Sequence, residues 1–151
     1  MESTGVRECH FRRSAGVSSV SYGLPQRISI LGSVSEVNGN LIQGMFAAID
    51  ARDWDTLPAF FHSDIVYERP GYDSFVGCDR VMRFYRDERV IRQGVHTLDG
   101  IVVEKGRAAA WGSIDAVHVD GTPIKHSFAD VYLLDQQTIK LRRSYFFVAA
   151  V

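Results

Sequence analysis

One ionisable side chain sits in the middle of the most apolar stretch of this chain. Residues 126–147, HSFADVYLLDQQTIKLRRSYFF, read as two strands folded back on each other, with Asp130 at the centre of the first. Side chains alternate along a strand, so His126, Phe128, Asp130 and Tyr132 share one face and Ser127, Ala129, Val131 and Leu133 the other. Both faces read as buried. An aspartate flanked by Phe128, Ala129, Val131 and Tyr132 is not fully hydrated: it is paired with a cation, protonated, or turned towards a ligand cavity. The first state makes it structural; the other two make it an acid or a base.

The neighbouring hairpin supplies two more groups. Asp120-Gly121 is a two-residue turn signal, and pairing Val119 with Thr122 sets Asp115 opposite His126 and Trp111 opposite Asp130. In that register Asp115, His126 and Asp130 project from one face beside Trp111, Ser113 and Phe128. Imidazole titrates near neutral pH, and a facing carboxylate fixes its tautomer and raises its basicity. These three residues are the expected catalytic set, an ordinary cross-strand pair being the plainer reading of Asp115 and His126. Tyr67, Trp111, Phe128, Tyr132 and Phe146 serve either as core or as the aromatic lining of a pocket. The last turn, Gln136-Gln137, lacks the Gly or Asn of a tight primed turn, and its length decides which face Arg142 and Ser144 occupy.

Other chemistries find no motif. His96 and His126 flank Asp115 without the spacing of a metal site, and there is neither a glycine-rich phosphate loop nor a Gly-x-Ser-x-Gly elbow. No metal and no cofactor are expected.

The elements that must position these groups come in two blocks. Ile42, Met45, Phe46 and Ile49 follow the spacing of a buried helical face over about 35–51, with Ser33 and Glu36 as a capping box. Asp53 caps a short second helix carrying Trp54, Leu57 and Phe61 and ending near His62, kinked or delayed by Pro58. Residues 64–69 alternate as a strand up to Pro70-Gly71. A third helix follows Gly77, with Val81, Phe84 and Tyr85 inward. The charges around it, Arg83, Arg86, Asp87, Glu88, Arg89 and Arg92, read as a solvated face, a phosphate or acidic-ligand patch being the minor reading. From about 96 onward the pattern is four long strands in an antiparallel meander. Helices first and sheet later means an α+β domain whose helices fill the hollow of a curved sheet. Gly112 and the small residues 108–110 are the expected place of the bend.

Composition bounds the rest. The chain has 151 residues, 46% hydrophobic and 11% aromatic, enough for one core. Its 17 basic and 18 acidic side chains give a net charge of -1, so neither nucleic acid nor a membrane surface is an expected partner. No apolar run approaches the ~20 residues of a bilayer span. Cys9 and Cys78 form no framework, which fits a reducing, cytoplasmic setting. Residues 1–32 lack periodicity and read as a disordered extension, leaving 33–151 as the domain.

Together the AAIDARDW helix, the DIVYERPG strand, the GCDRVMRFY helix start and the FADVYLL and IKLRRSYFF strands resemble the nuclear transport factor-like superfamily over roughly 36–148. Within it the chain is similar to the ketosteroid isomerases, limonene epoxide hydrolase and SnoaL-type polyketide cyclases. The resemblance implies a cone-shaped α+β barrel, three N-terminal helices packed in a curved antiparallel sheet, with a pocket between them. It also implies a cofactor-free isomerase, cyclase, dehydratase or epoxide hydrolase acting on an apolar oxygenated molecule such as a polyketide intermediate. A small-molecule-binding or scaffold domain is the alternative.

By that resemblance Asp130 matches the oxyanion-hole aspartate of the isomerases, and Tyr85 a supporting pocket tyrosine. Met45 and Arg69 replace the helix tyrosine and the base aspartate. Asp115 resembles the acid of the epoxide hydrolase, whose last-strand aspartate is Ser144 here, with Arg69 or Arg142 as candidate guanidinium. The expected substrate pocket comprises Tyr67, Arg69, Tyr85, Trp111, Ser113, Phe128, Tyr132, Arg142, Ser144 and Phe146. A second apolar sheet surface, with Ala129, Val131, Leu133, Tyr145 and Phe147, leads to an expected homodimer.

Overall fold

The computed structural model describes residues 34–147, so the expected tail and the Ser33 cap lie outside the described residues. Helix α1 spans Val34–Ala51 and buries the expected stripe of Ile42, Met45, Phe46 and Ile49. It ends without glycine. Arg52 takes the left-handed conformation at φ 55° while Asp53 N–H donates to Ala48 and Arg52 N–H to Ile49, the double bond pattern of a Schellman cap. The Arg52 guanidinium then donates to the Arg92 carbonyl at 2.7 Å, tying the helix end to the sheet.

The short second helix shrinks to one 3-10 turn, Leu57–Phe60, with Pro58 in its first turn. Asp53 still receives the Thr56 N–H at 3.0 Å, but Phe61 already belongs to strand β1, Phe61–Glu68. After a two-residue strand β2, Phe75–Val76, helix α2 covers Cys78–Arg83 and widens into a π-turn, Phe84–Glu88. Val81, Phe84 and Tyr85 are buried as expected, and Arg83, Arg86, Asp87 and Glu88 face water. Among the described residues there are thus two α-helices and a 3-10 turn where three helices were expected.

Four long strands follow: β3 Ile91–Glu104, β4 Arg107–His118, β5 Pro123–Asp135 and β6 Thr138–Phe146. They form the expected meander within a curved six-stranded sheet of order β2-β1-β6-β5-β4-β3, in which β1 runs parallel to β6. The helices fill its concave side, where one core joins α1, α2 and the inward residues of β1, β5 and β6. No helix among the described residues is long and apolar enough to cross a membrane.

Two backbone details set which side chains reach that hollow. The β4–β5 turn closes with three residues, not two: His118 N–H donates to the Thr122 carbonyl at 2.8 Å, Thr122 N–H to Asp120 Oδ1 at 2.8 Å, and Gly121 adopts φ +92°. A three-residue loop ending in a left-handed glycine shifts the register by one, and a one-residue slip turns a set of side chains to the other face. Asp115 therefore pairs with Lys125, Ile114 with His126, Ala110 with Asp130 and Trp111 with Ala129. The expected pairings of Asp115 with His126 and of Trp111 with Asp130 are corrected accordingly. Trp111 covers Gly100 on the outer face, where a Cβ would meet its ring carbon at 2.3 Å.

The second detail is a bulge in β6. Leu134 pairs with Ile139 but Leu133 with Leu141, so Lys140 is an extra residue. Without it Ile139 and Arg142 could not both point inward; with it both are buried, and so is Ser144. The outer face of β5, expected to be buried, leaves Ser127, Ala129 and Leu133 exposed.

Candidate functional site

The hollow narrows to a cavity between the end of α1, the π-turn and strands β1 and β3 to β6. Of the expected residues, Tyr67, Arg69, Tyr85, His126, Phe128, Asp130, Arg142 and Phe146 line it. Tyr132 and Ser144 stand one layer behind, bonded to residues of that wall. Asp115, Trp111 and Ser113 are on the opposite face of β4: Asp115 pairs with Lys125 at 3.1 Å, both side chains exposed.

Asp130 is 1% exposed and takes the first of its three conceivable states. Its Oδ2 accepts Arg142 Nε at 2.8 Å, Arg142 Nη2 at 2.7 Å and the Tyr132 hydroxyl at 3.0 Å. Its Oδ1 is buried without a hydrogen-bond partner among the described residues. Arg142 also donates from Nη1 to the Tyr85 hydroxyl at 2.7 Å, and its guanidinium lies 5.0 Å from the ring centre of Phe46 and 4.9 Å from that of Tyr67. Two buried charges paired this closely avoid the large penalty of an unpaired one, although Oδ1 is left over.

The hydroxyls around the pair diverge. Burial raises the pKa of Tyr85 and, with the charge of Asp130, that of Tyr132. Burial also acts to raise Tyr67, but the positive charges of Arg142 and Arg69 outweigh it and leave the phenol more acidic than usual. Ser144 donates to the Tyr67 hydroxyl at 3.4 Å.

Opposite this cluster lies a dyad that the motif search missed. Asp50, in the last turn of α1, accepts the backbone N–H of His96 through Oδ2 at 2.7 Å and binds His96 Nδ1 through Oδ1. His96 lines the cavity from β3, its ring held 4.8 Å from that of Phe46 and 5.6 Å from that of Phe128. Burial lowers its pKa, the bond to Asp50 opposing this, and the net direction is below the ordinary value. A neutral imidazole whose Nδ1–H donates to a carboxylate keeps its Nε2 lone pair for proton abstraction. That is the make-up of a general base.

His126 adds a second imidazole. Its Nε2 is buried and has no hydrogen-bond partner among the described residues. It and Asp130 Oδ1 are buried polar atoms left unsatisfied on two residues that line the cavity. No group of three or more ligating side chains suited to a metal occurs among the described residues.

The space itself is small. The centre of a water molecule has about 40 Å³ to move in, against the ~10–15 Å³ that one ordered water needs. The cavity therefore has room for about one small ring. Trp111 does not fill the cavity.

Comparison with curated protein sequences gives no match. Solved structures share the fold. A limonene-epoxide-hydrolase-like epoxide hydrolase of M. tuberculosis has 19% identity and a TM-score of 0.67, over 74% of this chain and 84% of that one. A candidate SnoaL-like polyketide cyclase from Jannaschia has 11% identity and a TM-score of 0.67, over 82% and 92%. An NTF2-like protein of unknown function from Burkholderia pseudomallei has 18% identity and a TM-score of 0.67, over 73% and 90%. The sequence profile of the SnoaL-like domain matches residues 42–141, from the buried stripe of α1 to the strand that carries Arg142, and the chain belongs to that family.

Proposed function

We propose that this protein is a cytoplasmic, cofactor-independent enzyme that moves protons on a small oxygenated molecule, in an isomerisation, dehydration or cyclisation. The observation that carries this reading is the Asp50–His96 dyad, whose imidazole lines the cavity. His96 Nε2 takes a proton from a carbon next to a carbonyl. Asp50 holds the ring in position and stabilises the imidazolium that forms. His126, whose Nε2 is unpartnered, faces the same space and supplies or relays a proton. The Asp130–Arg142 pair, with Tyr85, gives the oxygen side of the substrate a fixed polar wall. Epoxide opening draws less support, because Asp130, the carboxylate on the wall, is held by Arg142 and Ser144 stands beside it.

The cavity size favours a substrate of about one ring, or one end of a longer polyketide-type chain. Proton exchange tests the reading without knowledge of the natural substrate. The full chain, incubated in heavy water with cyclic diketones and β-hydroxy ketones, should speed deuterium uptake at the acidic carbon. His96→Gln should lower that rate ~10²- to 10⁴-fold with the fold intact. Tight binding with no exchange by the unaltered protein would instead make it a binding domain.

A further inference from the structure

Three guanidinium groups line the cavity, those of Arg69, Arg89 and Arg142, beside one carboxylate among the described residues, that of Asp130. Asp130 is committed to Arg142, and the nearby Asp50 to His96. Arg89, the first residue after the π-turn, has no carboxylate within ion-pair distance among the described residues; its guanidinium lies 5.9 Å from the ring centre of Tyr85. It is half-buried, unlike Arg83 and Arg86 before it, which face water.

Burial lowers the pKa of Arg89, with Tyr85 and Tyr67 opposing and the charges of Arg142 and Arg69 adding a smaller lowering. A guanidinium stays charged nonetheless. Arg89 and His96 line the same cavity. A desolvated cation with no counter-ion is unfavourable until an anion completes it, and the planar fork of Arg suits a carboxylate.

We propose that the cavity binds a small organic carboxylate, its charged group received by Arg89 and its apolar body resting against the neighbouring Phe128 and Phe146. This deepens the reading above and shares its site: the substrate is an acid, with the reacting carbon presented to His96. Cation and base then divide the work, Arg89 anchoring the group that does not react.

Equilibrium binding tests this apart from turnover. The probes are benzoate and its neutral counterpart benzamide, titrated into the full chain by calorimetry, with the His96 and His126 ring signals followed by NMR. Benzoate should bind roughly ten-fold or more tightly than benzamide and shift both ring signals, and Arg89→Gln should remove the preference. Raising salt from about 0.05 to 0.5 M should weaken benzoate more than benzamide. Equal or tighter binding of benzamide, benzoate binding that leaves the His96 and His126 signals unmoved, or an unchanged preference in Arg89→Gln would overturn the proposal. A failure here with intact His96-dependent exchange would leave the enzyme reading standing and remove only the acidic substrate.

Discussion

Asp50 binds His96 twice, once at the backbone N–H and once at ring Nδ1, and so joins the last turn of α1 to strand β3 at the cavity wall. The backbone bond fixes where the strand sits against the helix; the ring bond fixes which nitrogen is left for chemistry. One carboxylate thus couples the packing of the helix to the orientation of the base.

The pH dependence of Asp50→Asn follows from that coupling. The bond to Asp50 raises the basicity of His96 against the stronger lowering by burial. Removing the carboxylate should move the acid limb of the exchange rate to lower pH while reducing the plateau, by about 10- to 100-fold for a lost orienting partner. Rate profiles of the two proteins check this. An acid limb that moves to higher pH would mean that Asp50 acts by some other route.

Asp130 should behave as half of a buried ion pair. Asp130→Ala strands the guanidinium of Arg142, which is 5% exposed, and should cost about 3–5 kcal/mol. Replacing both partners, as in Asp130→Leu with Arg142→Met, should recover much of that loss, because neither charge is then left alone. Denaturant unfolding of the single and double variants measures both. Equal losses in the two would show that the pair is not what holds Asp130.

The outer face of the sheet exposes Val102, Trp111, Leu133 and Tyr145. We expect a second copy of the chain to cover it, since an apolar surface on several neighbouring strands marks an association site. Sedimentation equilibrium should give a dimer at micromolar concentration, and Trp111→Glu should dissociate it. A monomeric unaltered protein would rule this assembly out.

Much of the fold was legible because it rests on local patterns. The stripe of α1, the strand alternation and the inward set of His126, Phe128, Asp130 and Tyr132 all follow from side-chain period. The site was less legible because it turns on single residues of register. Asp120-Gly121 signals a tight turn whether Val119 joins the loop or not, yet that one residue sends Asp115 and Trp111 to the outer face. The Lys140 bulge, which aims Arg142 at Asp130, leaves no mark in composition. Asp50 was visible as a charge directly beside the apolar stripe, but its partner lies 46 residues away on a strand. Arg89 hid in a run of charges that is otherwise solvated.

The central claim is that the cavity wall carries a neutral imidazole, Nδ1–H to Asp50 and Nε2 free to take a proton. Proton–nitrogen correlation NMR of histidine-labelled protein reads this directly at His96. The account predicts the Nδ1–H tautomer at neutral pH, with protonation only below the ordinary value of 6.5. An Nε2–H tautomer, or an imidazolium persisting at neutral pH, would contradict it.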